Sequence, residues 1–72
     1  MLFGPHTGVI VAVQPLDIHG TQMFDIVYQL EGESGQRSAR LGSEALVRTP
    51  VAGEHVMVHL LMNVVTRIEP RS

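Results

Sequence analysis

The sequence predicts an all-β fold in one small domain, and three observations carry that reading. Ten Val, four Ile and four Thr make a quarter of the 72 residues β-branched, and their stiff side chains suit a pleated strand better than a helix. The apolar residues fall in short runs or strict alternations that are too short for helices. Gly and Pro separate those runs. A chain of this length buries only about 60% of the surface it exposes when unfolded. With no cysteine, apolar packing or self-association must supply the stability that disulfides give other small domains. A 44% hydrophobic and 17% charged composition excludes a disordered tail.

The elements follow in order. Gly8 opens Val9-Ile10-Val11-Ala12-Val13, apolar on both faces, and Pro15 is expected to end this first strand. Residues 15 to 21, with Pro15 and Gly20 as breakers, are expected to form a loop. From Gln22 to Leu30 the pattern alternates, with Phe24, Ile26, Tyr28 and Leu30 on one face and Met23, Asp25, Val27 and Gln29 on the other. Glu31 to Gly35 is a polar turn. Gln36 to Leu41 returns as a short third strand whose arginines, Arg37 and Arg40, suit an edge position. Ser43 is placed to cap a helical turn over Glu44-Ala45-Leu46-Val47, which ends before Pro50. The fourth strand, His55 to Leu61, points Val56, Val58 and Leu60 one way and His55, Met57, His59 and Leu61 the other. Met62-Asn63 is a tight connection to a fifth strand from Val64 to about Glu69.

Five strands with the helical turn between the third and fourth follow the order of a small OB-like barrel, the partly open five-stranded Greek-key architecture. An SH3-like barrel is the alternative; its short turn usually falls before the last strand.

Two families share parts of this pattern. The stretch from Ala39 to His59, with Leu41, Leu46, Pro50, Gly53, Val56, Val58 and His59, resembles the C-terminal half of the small hydrogenase-maturation chaperones of the HypC/HupF type. The opening Met1-Leu2-Phe3-Gly4 is also similar. That family works through a cysteine directly after the initiator methionine, where this chain has Leu2, so the resemblance implies the fold and not the activity. Gly8-Val9-Ile10-Val11, Met23-Phe24-Asp25-Ile26 and Gly53-Glu54-His55-Val56 are similar in order to the strands of bacterial translation initiation factor one. That resemblance too implies an OB barrel; the factor's basic RNA-binding face has no counterpart here.

Residues able to carry chemistry are few. His55 and His59 have the i, i+4 spacing that holds zinc on a helix, but on a strand they stand about 13 Å apart and cannot share an ion. No metal site is expected. The serines, histidines and aspartates form no spaced nucleophile signature, so no enzyme and no cofactor is expected. The turn Gly32-Glu33-Ser34-Gly35-Gln36-Arg37 lacks the Gly-Lys-Ser/Thr ending of a phosphate loop and carries two-carboxylate chemistry with Glu31, which repels phosphate.

Charge is unevenly placed. Residues 1 to 36 carry four acids and no base, whereas residues 37 to 72 carry five arginines against Glu44, Glu54 and Glu69, a balance of +2. That is short of the dense basic stripe on which nonspecific nucleic-acid binding depends. Arg37, Arg40 and Arg48, with the loops at 15–21 and 61–63, are the residues such binding would use. The start of the chain lacks a basic segment of secretory type, and no apolar run reaches membrane-spanning length, so a cytoplasmic protein with no membrane contact is expected.

One feature stands above background. In an OB-like barrel the first strand lies between the second and fourth, so their outward sides adjoin. There the sequence places His55, Met57, His59 and Leu61 of the fourth strand, one apolar face of the first, and Met23 and Val27 of the second. An apolar outer patch predicts a non-enzymatic protein-association module, self-associating into a homo-oligomer or meeting another protein as an adaptor or accessory factor. Arg-mediated binding of single-stranded nucleic acid is the alternative.

Overall fold

The computed structural model describes residues 2–71. Five strands, β1 (Gly4–Ile18), β2 (Thr21–Leu30), β3 (Arg37–Gly42), β4 (His55–Leu61) and β5 (Val64–Pro70), form one antiparallel sheet in the order β3-β2-β1-β4-β5. A 3-10 turn, Ser43–Ala45, lies between β3 and β4. The all-β class, the number of strands and the position of the turn agree with the sequence. So does the place of β1 between β2 and β4.

Two local expectations fail. β1 does not end at Pro15 but runs on to Ile18, so the expected loop over residues 15 to 21 shrinks to His19 and Gly20. These two have φ of 52° and 83°, the positive pair of a two-residue hairpin turn whose twist matches the flanking strands. Such a turn makes Ile18 and Thr21 a hydrogen-bonded pair, and alternation then directs the backbone of Gln14 and Leu16 to β2 and that of Pro15 away from it. β4 pairs with β1 only from Gly4 to Val9, so past that point β1 has β2 on one side and no strand on the other. The missing N–H of Pro15 therefore costs no ladder bond. The second failure is the cap. The turn is shorter than expected, and Ser43 lies inside it, where its carbonyl accepts from the Leu46 N–H at 3.1 Å; Gly42 takes the cap position without a side-chain bond.

The core follows the strand alternation. Phe24, Ile26, Tyr28 and Leu30 of β2 and Val56, Val58 and Leu60 of β4 are buried with Ile10, Leu41, Val65 and Ile68. β1 supplies Ile10 and then shifts register between Ile10 and Ala12, a bulge that puts Val11 out toward solvent. At this point the Ile10 N–H donates to the Glu54 carbonyl at 2.9 Å and the Gly53 N–H donates to the Ile10 carbonyl at 2.7 Å. Those bonds tie the loop entering β4 to the bend in β1. Between the outermost strands, β3 and β5, the described residues form no ladder; the nearest link is the isolated parallel bridge Leu46↔Ile68.

Candidate functional site

The outer face of the sheet is built of cross-strand rungs. Thr7 of β1 pairs with Met57 of β4, which pairs with Glu69 of β5. Met57 is half-buried, and both cross-strand neighbours are polar. The Thr7 hydroxyl donates to the Glu31 carboxylate, while Glu69 meets His59 at 2.8 Å and Arg67 at 3.3 Å. His55 pairs with Val9 and is exposed. Met57, His55 and His59 thus lie together, as the strand pattern requires, inside a polar rim.

Val27 and Met23 stand elsewhere on this face. Val27 lies between Ala12 and Ser38, and Met23 between Leu16 and Gly42. The rung between them is Gln14–Asp25–Arg40, closed by an Arg40–Asp25 ion pair at 2.7 Å. The outer apolar residues that the sequence groups together are therefore broken into separate spots by polar rungs.

Leu61 belongs to a different and more open group. It pairs with Val64 across the turn Met62-Asn63, so both side chains leave the sheet on the outer side. The N-terminal segment runs alongside: the Asn63 N–H donates to the Leu2 carbonyl at 3.0 Å, Gly4 pairs with Leu60, and Phe3 lies between those two anchors. Phe3 (55%), Leu61 (56%), Met62 (56%) and Val64 (63%) each leave more than half of their surface exposed. Sequence reasoning found Leu61 and missed the other three. The signal was present, because antiparallel pairing across a two-residue turn puts Val64 on whichever face Leu61 takes.

The arginines proposed for phosphate contact are all engaged. Arg37 forms a two-pronged pair with Glu33 at 2.8 and 3.0 Å, Arg40 does the same with Asp25, and Arg48 holds Glu54. Arg67 and Arg71 also face carboxylates, Glu69 and Glu31. Hydrogen bonds from Arg40 and Arg37 hold the Asp25 and Glu33 carboxyls below the usual range, and the His59 bond does the same for Glu69. Folding lowers these three pKa values, so their stabilisation is complete above the ordinary carboxylate range and is lost as pH falls below it, through the lowered values of the folded state. The melting temperature is accordingly expected to fall as pH drops from about 5 to below about 4; a rise over that acid range would contradict these pairs.

Phe24 and Tyr28 are buried in the core, and burial raises the pKa of the Tyr28 hydroxyl, so neither ring is a stacking platform on the outer face. Among the described residues, no group of three or more His, Asp or Glu side chains is arranged to hold a metal, and no helix is long and apolar enough to cross a membrane. No family model, curated protein or solved structure matches the chain.

Proposed function

We propose that this chain is a non-enzymatic protein-association module that self-associates and serves as an adaptor or accessory part of an assembly. The observation that carries the reading is the open apolar group Phe3, Leu61, Met62 and Val64 at one end of a sheet whose outer face is otherwise crossed by ion pairs. Exposed apolar clusters of this kind mark contact surfaces. We read the sheet as an OB-like barrel left open between β3 and β5, working in the cytoplasm, where a cysteine-free chain is well suited.

The alternative, Arg-mediated binding of single-stranded nucleic acid, must draw on guanidinium groups whose charge is each already balanced by a neighbouring carboxylate. Fluorescence anisotropy on a mixed-sequence oligonucleotide is expected to give binding weaker than micromolar near 0.15 M salt. With about three phosphate contacts, the log–log salt slope should lie near −2. Nanomolar affinity would replace the association reading with the nucleic-acid one. Sedimentation velocity on the wild type over a wide concentration range tests association itself, and a rise in mass with concentration is the expected result.

A further inference from the structure

We infer that the end of the sheet formed by Phe3, Leu61, Met62 and Val64 is a two-fold contact onto a second copy of the same chain. The inference rests on the association reading above and deepens it by naming the surface and its occupant. Three features single out this surface.

The first is area. Four side chains that are each more than half exposed leave open about 400 Å², within the ~300–600 Å² of the largest patch on a typical monomer. A self-complementary contact covers that patch twice, which is about half of a standard ~1,600 Å² interface and suits its apolar centre. The next rung, Pro5–His59–Arg67, and then Glu69 supply a polar rim. That rim carries one charge of each sign, so a copy does not repel its own image.

The second is backbone conformation. Met62 and Asn63 have φ of 53° and 69°, a left-handed pair in which Asn, Asp or Gly is favoured at both positions. Asn63 fits that preference. Met62 does not; like His19 in the other two-residue turn it is a non-glycine residue held in the left-handed region, and with more than half of its surface exposed it gains little packing there in return. Against a second copy that exposed side chain would be covered.

The third is size. The described core is eleven side chains, the chain has no cysteine, and the described residues hold no metal cluster. Oligomerisation is one way in which so small a domain gains stability. A membrane fits the surface less well than a second copy does, because the rim's arginine is already paired with Glu69 and the chain has no lysine to meet anionic headgroups.

Sedimentation equilibrium from about 10 μM to 1 mM on the wild type, Leu61→Glu, Met62→Asn and Val47→Glu is the test, with circular dichroism to confirm folding. The wild type is expected to reach twice the monomer mass. Leu61→Glu should weaken the contact by ~100-fold or more, since each copy would bury an unpaired carboxylate. Met62→Asn should weaken association while raising the melting temperature of the dilute monomer, a pair of opposite shifts that a purely structural role cannot produce. Val47→Glu, equally exposed but next to the Leu46↔Ile68 bridge and so four residues along β5 from Val64, should change the dissociation constant by less than about 10-fold.

If the wild type associates but Leu61→Glu and Met62→Asn keep its mass, this surface is overturned and the association reading stands. A wild type that stays monomeric at 1 mM overturns both. Flotation with phosphatidylcholine vesicles that is lost in Leu61→Glu would assign the surface to a lipid interface instead.

Discussion

Ile26→Ala is expected to remove about half of the protein's stability. Ile26 is fully buried in β2 and pairs with Val13 of β1 on one side and Ala39 of β3 on the other, so its side chain spans the middle of the core. Truncating a buried isoleucine costs the transfer energy of the lost methylenes plus that of the cavity, about 2–5 kcal/mol. A domain of this length is stable by only ~4–11 kcal/mol. Urea unfolding of the dilute protein should show a large fall in midpoint with an unchanged slope. A loss below about 1 kcal/mol would show that the β2 face is not the packed centre described above.

Gly8→Val is expected to destabilise the fold by the opposite mechanism. Gly8 pairs with Leu30 of β2 and Val56 of β4, at the point where three strands run together. A Cβ placed there would stand 2.8 Å from the Gln29 carbonyl oxygen, closer than side chains approach backbone. The obstacle is main chain on the neighbouring strand, so relief requires β1 and β2 to separate. Overpacking of this kind costs about 1–3 kcal/mol, and a β-branched side chain belongs at the upper end. Gly35, with open space where its Cβ would be, is the control and should tolerate alanine. The expected outcome is a sharp loss in melting temperature for Gly8→Val and little change for Gly35→Ala; equal behaviour would contradict the close approach of β1 to β2.

The parts of the fold legible in the sequence were those governed by two-residue alternation. β2 and β4 showed their inner faces directly, because Phe24-x-Ile26-x-Tyr28-x-Leu30 and Val56-x-Val58-x-Leu60 pack on one side only. β1 was harder, because its bulge at Val11 shifts the face midway and because Pro15 breaks a strand only where both sides are paired. Whether a strand has one neighbour or two is a tertiary fact that no local pattern records. The same limit applies to the surface. The sequence placed Met57 and Leu61 on one face correctly, but which residues stand beside them depends on registers that bring Thr7 and Glu69 to Met57, and Val64 to Leu61. Arg37, Arg40 and Arg48 read as available charges for the same reason: Glu33, Asp25 and Glu54 reach them through turns and pairings that spacing alone does not reveal.

The open margins of the sheet limit what kind of assembly this chain can build. Backbone along the unflanked part of β1 is interrupted by Pro15, β3 is six residues long and carries Arg37 and Arg40, and β5 shifts register between the His59 and Leu60 rungs before ending at Pro70. Each device is one that natural sheets use against edge-to-edge stacking, the route to fibrils and irreversible aggregates. A chain closed to sheet extension on every margin can still stick through side chains, and contacts of that kind come apart by dilution. The self-association proposed above is therefore expected to be a reversible, closed equilibrium governed by concentration, not growth along an axis.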